Sequence, residues 1–328
     1  MEPLIEFFRR GTGYRVLIDK WEGHSVHHED ASQRLLAAAD IVFCEWCLGN
    51  AVWYSRRKRS GQTLIVRIHR QEFHGTAKTR YIDAVAWDAV TAAIAISPHH
   101  RELLQKLIPG HSDKVRYVPN LFDTVSFTLK KTVDAPQSLG LVRYAPSRKR
   151  ADLALEIFGK LRQRDERFCL ALVGERPEEL NQVWNRPEER TFALNFRESV
   201  ERSSHRSAIT VDPYTSDMAR WFTKIGYLLS TSDDEGSHQA VAEAMAAGCI
   251  PVIRNWPGAD RLYPRCFVFT TVREAVEFIL KSREPERYRH LSTLATQWAR
   301  RFDTQVVAAQ ITPLIERCRR VTASECAP

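Results

Sequence analysis

No apolar run in the sequence approaches the ~20 residues a helix needs to cross a bilayer. The opening stretch, MEPLIEFFRRGTGYRVLID, does not read as a signal peptide. Its apolar run is short, Glu2 and Glu6 interrupt it, and no small-residue cleavage site follows. A cytoplasmic protein is expected. Paired cysteines are also lacking. The seven are odd in number and scattered, at Cys44, Cys47, Cys169, Cys249, Cys266, Cys318 and Cys326. Cys44 and Cys47 form a lone C-x-x-C without the second pair that a zinc site of this type uses. The expected role of the cysteines is packing, as small hydrophobes. His24, His27 and His28 cluster, but at no spacing typical of metal ligands. There is no internal repeat and no low-complexity tract.

What is present is an ordinary globular composition, 44% hydrophobic and 27% charged, which excludes a disordered chain. The length of 328 residues suits two domains. The net charge of +8 suits an anionic partner: a nucleotide diphosphate, an acidic acceptor, a membrane face or nucleic acid. The positive charge gathers in Arg56-Arg57-Lys58-Arg59 and Arg148-Lys149-Arg150. The first cluster reads as a solvated face in a Ser/Gly-bounded loop.

Short β-branched runs alternate with amphipathic stretches. Strands are predicted at Tyr14–Asp19, Ile41–Cys44, Leu64–Ile68, Ala92–Ile96 and Val115–Val118, with helices at Ala31–Ala39 and Arg101–Leu107 between them. The second half predicts strands at Gly140–Val142, Cys169–Val173, Tyr227–Leu229 and Ile250–Ile253. Its helices are predicted at Ala151–Arg164, Asp217–Thr223, Gln239–Ala247, Val272–Ser282, Glu286–Arg301 and Thr304–Arg319. Such alternation gives parallel sheets covered by helices, here an α/β chain of two Rossmann-like domains. The polar, aperiodic stretch 124–138 marks the boundary. The expected domains are 1–124, 125–300 and a C-terminal helix, 301–328, packing back toward the first.

In open α/β sheets ligands bind beyond the carboxyl ends of the strands, so the loops there carry the chemistry. After the strand near Tyr227 comes Asp233-Asp234-Glu235-Gly236, then an Ala-rich helix closed by Gly248. Glu235 stands just before the helix and Glu243 about two turns later. A helix start offers free N–H groups to a phosphate, and flanking carboxylates can accept hydrogen bonds from sugar hydroxyls. The residues alone leave a second reading open, of acidic residues that merely favour a first helical turn.

Glu235, seven residues, then Glu243, followed by Ala-Met-Ala-Ala-Gly-Cys-Ile-Pro-Val-Ile, resembles the donor motif of the retaining GT-B glycosyltransferases of family 4. The resemblance implies that Glu235 approaches the donor sugar, that Glu243 binds the ribose, and that the backbone over Gly236, Ser237, His238, Gln239 and Ala240 holds the diphosphate. Family members often have Phe-Gly after the first Glu; this chain has Gly236-Ser237-His238. Upstream, Leu139–Leu155 (LGLVRYAPSRKRADLAL) is similar to the segment of the Arg/Lys pair that clamps the diphosphate, which assigns Arg143 and Lys149. Fixed cations there would stabilise charge on the departing diphosphate. Read alone, the segment is a basic helix start.

Weaker likenesses agree. KVRYVPNLFD, from Lys114 to Asp123, resembles the family's entry to the interdomain crossover, with Leu121-Phe122 in place of Gly-Val. Val173-Gly174 resembles the nucleotide-base side of the donor site, where glycine permits close approach. In the first half, His69 ends the strand LIVRI, where family members often carry a histidine near the donor sugar. Trp46 and Trp53 could stack on an acceptor or plug a groove. The family's usual opening strand and Gly-rich loop have no clear counterpart. WEGHS, Trp21–Ser25, is a degenerate substitute at best, and Tyr14–Asp19 matches the family's second strand.

The resemblance implies transfer of a hexosyl group from a nucleotide diphosphate sugar to a saccharide or lipid-linked acceptor, retaining and metal-independent. No cofactor is expected, and peripheral contact with an anionic membrane fits the charge. The rival readings are a GT-B sugar-nucleotide epimerase, a catalytically silent GT-B scaffold, and a basic nucleic-acid-binding protein. The last lacks any recognisable module.

Overall fold

The computed structural model describes residues 2–11, 13–74 and 79–325. The chain divides into two compact units. One comprises the residues up to Phe122 together with those from Phe302 onward; the other is Asp123–Arg301.

In the first unit a small antiparallel hairpin, β1 (Trp21–Glu22) with β2 (Val26–His27), precedes a four-stranded parallel sheet. The sheet strands are β3 (Ile41–Glu45), β4 (Thr63–Ile68), β5 (Ala92–Ala95) and β6 (Val115–Tyr117), side by side in chain order. Alternation along β4 sorts its side chains to two faces. Leu64, Val66 and Ile68 pack with Trp53, Ile82, Trp87 and Leu104. Ile65 packs with Leu4, Val307, Ala308, Ile311 and Ile315, contributed by the helices Glu2–Gly11 and Thr304–Glu325. Backbone bonds from Phe122 N to Phe302 O (3.1 Å) and from Thr304 N to Phe122 O (3.1 Å) fasten the returning chain.

The strand expected at Tyr14–Asp19 does not form. These residues have no regular structure and make no ladder, and the sheet begins at Ile41. Alternating side chains suffice for an extended segment but not for backbone pairing. Asp19 is engaged through its side chain instead, accepting from Trp21 Nε1 at 2.7 Å and Tyr54 Oη at 2.5 Å. The basic cluster is only partly in a loop, because Arg56 and Arg57 lie in the last turn of the helix Gly49–Arg57 and Lys58 and Arg59 follow it.

The second unit is a six-stranded parallel sheet: β7 (Ser138–Val142), β8 (Cys169–Val173), β9 (Ile209–Asp212), β10 (Tyr227–Ser230), β11 (Ile250–Arg254) and β12 (Val268–Phe269). Its order is β9-β8-β7-β10-β11-β12. The chain winds outward from β7 in one direction, then returns to start again at β10, which is the doubly wound Rossmann arrangement. β9 and the helix Pro187–Glu201 had no place in the sequence reading. β9 is an edge strand whose Val211 is exposed, so its apolar signal is weak.

Local chemistry closes the elements. Asp217 and Thr271 cap the helices Met218–Phe222 and Val272–Lys281 through their side-chain oxygens. Gly248, at φ +75°, ends the helix Gln239–Ala246, where its N–H reaches Met245 O at 3.0 Å. Cys44, Cys47 and Cys249 are buried free thiols, and burial pushes each of them up. Cys326 lies outside the described residues, as does the Cys318 side chain. Among the described residues no helix is long and apolar enough to cross a membrane.

Candidate active site

In a doubly wound sheet the crevice opens where the strand order reverses, here between β7 and β10. The loops leaving these two strands are 143–150 and 231–238. Arg143 follows β7 in a left-handed conformation, φ +57°, anchored by its N–H to Val173 O at 2.8 Å. A Cβ on Gly174 would meet the Arg143 Cα at 3.2 Å. The glycine is thus required by the backbone of Arg143.

The two loops are stitched together. Thr231 Oγ1 donates to Lys149 O at 2.8 Å, Asp233 N donates to Arg148 O at 2.9 Å, and Arg148 Nη1 donates to Asp234 O at 3.1 Å. Ser147 is held from the other side, its N–H and hydroxyl both donating to the Glu189 carboxylate. This scaffold carries a buried polar cluster. Lys149 Nζ lies 2.6 Å from Glu235 Oε1 and 3.1 Å from His238 Nε2. The same Glu235 oxygen accepts from Ser232 Oγ at 2.7 Å and faces Arg148 Nη1 at 3.1 Å. His238 Nδ1 pairs with Ser230 Oγ at 2.6 Å. The lysine ammonium has no lone pair, so Nε2 must accept and Nδ1 carries the proton to Ser230.

Burial sets the protonation states. It pulls the Lys149 ammonium below its usual value, against the opposing charge of Glu235. It would raise the Glu235 carboxyl, but the His238 imidazole and the charges of Lys149 and Arg148 outweigh it and hold that group below the usual carboxylate range. Burial, reinforced by the Lys149 charge, brings His238 down to about 3, so the imidazole is neutral.

The expected helix start at Ser237 or His238 falls one to two residues later, at Gln239. His238 is the residue before it, left-handed at φ +46°, because its side chain turns back into the cluster. Ser237 O accepts from Tyr263 Oη at 2.5 Å, which fixes the loop beside the helix. Gly236 is buried in this loop. Gln239 is exposed and Ala240 half-buried at the first turn. Gln239 Nε2 donates to Glu243 Oε1 at 2.8 Å. Burial raises the Glu243 carboxyl, opposed by that bond and by the charge of Arg143.

The structure therefore gathers Arg143, Lys149, Glu235, Gly236, Ser237, His238 and Glu243 around one crevice, with Gly174 beneath Arg143. His69 belongs to the other unit. There it directly follows β4, stacks on Trp46 with ring centroids 4.0 Å apart, and places Nε2 3.0 Å from Glu45 Oε1. Buried Arg67 backs Glu45 at 3.6 Å. Sequence reasoning missed the roles of Arg148, Ser230, Ser232 and Tyr263. Arg148 was visible only as part of a basic cluster, and the others carry no local signal. Among the described residues no group of three His, Cys, Asp or Glu is placed to hold a metal ion.

Residues 137–265 match the family model described as glycosyl transferases group 1. That match spans β7 to just past the helix Ala259–Leu262 and so contains the whole crevice cluster. In structure the chain is similar to HepE of Anabaena, solved in complex with UDP and glucose, at a TM-score of 0.70 and 16% identity over 88% of this chain and 80% of that one. It is also similar to the pneumococcal O-GlcNAc transferase GtfA, solved with UDP and GlcNAc (TM-score 0.62, 12% identity, 89% and 61% covered). A third is sucrose-phosphate synthase of Thermosynechococcus elongatus (TM-score 0.67, 14% identity, 90% and 77% covered). No curated protein matches the chain in sequence. The α/β fold with parallel sheets is the one these GT-B glycosyltransferases share.

Proposed function

We propose that this chain transfers a hexosyl group from a nucleotide diphosphate sugar to a saccharide or lipid-linked acceptor, with retention of configuration and without a metal ion. The observation that carries this reading is the buried Lys149–Glu235 pair at the reversal point of the sheet, flanked by Arg143, Arg148 and a helix start. In transfer the bond from the sugar C1 to the diphosphate oxygen breaks, and one from C1 to the acceptor oxygen forms. Negative charge grows on the diphosphate. Arg143 and Lys149 are the fixed cations suited to it, and they need no reorganisation of solvent. The N–H groups at the start of the Gln239 helix add a partial positive charge.

Glu235 would position the donor sugar, Glu243 the ribose, and His69 would line the reacting centre. Lys149 is already paired, so the arriving diphosphate competes with Glu235 for it. The carboxylate so released becomes free to accept from sugar hydroxyls. Cytoplasmic location and contact with an anionic membrane face belong to the same proposal, supported by the net charge.

The test is thermal stabilisation by UDP, GDP and ADP of the wild type, Lys149→Ala and Glu243→Ala. A ligand that binds only the native state raises the melting temperature. One diphosphate should stabilise the wild type, and both substitutions should abolish the shift. If no diphosphate stabilises any variant, the donor site as assigned is wrong. If binding occurs without sugar transfer or hydrolysis, the chain is a silent scaffold.

A further inference from the structure

Several features that the donor site leaves unused meet in one place. The hairpin β1–β2 stacks Trp21 on His27, ring centroids 3.6 Å apart and nearly parallel. Trp53, on the helix Gly49–Arg57, meets both edge-on, at 6.2 and 5.3 Å. From the same helix come Arg56 and Arg57, and the short helix Arg80–Ala84 brings Arg80 and Tyr81. Together these line a cavity of about 460 Å³ in the first unit. Gly49 permits this closeness, because a Cβ there would lie 2.6 Å from Ser25 Cβ and 2.7 Å from His24 O.

The lining has a definite chemistry. Among the described residues that line it are aromatic rings and three guanidinium groups, and no acidic residue. The Arg57 guanidinium lies over the Trp53 ring at 4.8 Å, and that of Arg80 over Tyr81 at 4.4 Å. Stacking of this kind restrains a guanidinium while leaving its N–H groups able to bind an anion. Arg56 is steadied by a bond to Ala84 O at 2.9 Å. Among the described residues Arg57 has a carboxylate partner, Glu29, at 3.2 Å. Aromatic faces suit the C–H faces of a sugar ring, and guanidinium forks suit a carboxylate or phosphate on it. A lone anion would make no use of the aromatic lining, and a neutral sugar would leave the arginines unpaired.

The geometry points to a binding site for an anionic saccharide, a sugar ring bearing a carboxylate or a phosphate, between the hairpin and the helices Gly49–Arg57 and Arg80–Ala84. That this saccharide is the acceptor of the transfer rests on the function proposed above; the site itself does not.

The test uses the full chain without donor and reads tryptophan fluorescence, since Trp21 and Trp53 line the cavity. The probes are a glucuronic-acid disaccharide, its carboxyl-reduced neutral counterpart, glucose 6-phosphate and inorganic phosphate. At least one anionic sugar should bind, and which one does identifies the anion as carboxylate or phosphate. The neutral counterpart and inorganic phosphate should bind at least tenfold more weakly. The double variant Arg56→Gln/Arg80→Gln should lose at least tenfold in affinity. Both side chains are exposed, so its melting temperature and its stabilisation by nucleotide should match the wild type. The proposal falls if neither anionic sugar binds at millimolar concentration, if the neutral sugar or bare phosphate binds equally well, or if the double variant keeps full affinity. It also falls if a short oligonucleotide displaces the sugar at lower concentration, which would make the site a general polyanion surface. Nucleotide stabilisation, measured on the same samples, reports separately on the donor site.

Discussion

Lys149 Nζ lies 2.6 Å from Glu235 Oε1, both side chains are buried, and 86 residues of chain separate them. Removing one partner of such a pair leaves an uncompensated charge in a medium that solvates it poorly. Glu235→Gln should therefore destabilise the protein by about 3 kcal/mol in urea unfolding. Adding Lys149→Met to it should cost less than the two single changes summed, by at least ~1 kcal/mol. Additive losses would mean that the pair is not energetically coupled.

His238 gives a pH signature. Its folded-state value of about 3 lies below the ordinary 6.5, so the unfolded chain binds its proton first. The associated stability is complete above pH 6.5 and is lost as pH falls toward 3. Between pH 8 and pH 5 this amounts to about 2 kcal/mol. Glu235 stays ionised throughout that window, its carboxyl being held below the usual range. His238→Asn keeps a residue type that tolerates a left-handed backbone and should flatten the profile. Equal pH dependence in both proteins would show that His238 is not buried neutral.

Glu243 should behave in the opposite way. Burial raises its carboxyl, so the folded state binds the proton more tightly than the unfolded chain and the charged form costs stability at neutral pH. Glu243→Gln is expected to leave the melting temperature unchanged or higher while abolishing stabilisation by the nucleotide. A loss of stability without a change in nucleotide binding would make Glu243 structural.

Gly174→Ala tests the floor of the site. Gly174 sits at φ +150°, where a side chain is strained in any case, and the new Cβ would press on the Arg143 backbone. A loss of about 1–3 kcal/mol is expected. Arg143 should shift as well, so nucleotide stabilisation should weaken by more than the loss of stability explains. Wild-type behaviour in both measurements would remove Arg143 from the diphosphate site.

Much of the fold was legible because it rests on short-range pattern. Buried parallel strands need apolar runs, so Leu64–Ile68 and Cys169–Val173 stood out. Gly248 and the Ala-rich stretch before it wrote the end of the Gln239 helix into the sequence. Tyr14–Asp19 misled because its alternation is genuine, while strand identity depends on a partner that this segment lacks. β9 was missed for the converse reason, being an exposed edge strand whose partner, β8, supplies its order.

The sequence by itself determined the two blocks of strand and helix, the loops at the strand ends, and the spacing from Glu235 in the loop to Glu243 on the helix that follows, because each depends on residues close to one another along the chain. Only the tertiary structure decided that Lys149 meets Glu235 and His238, and that Trp21, Arg57 and Tyr81 line one open cavity. Those contacts join segments that touch only once the sheet order is set. That order is a property of the folded chain, and no local pattern encodes it.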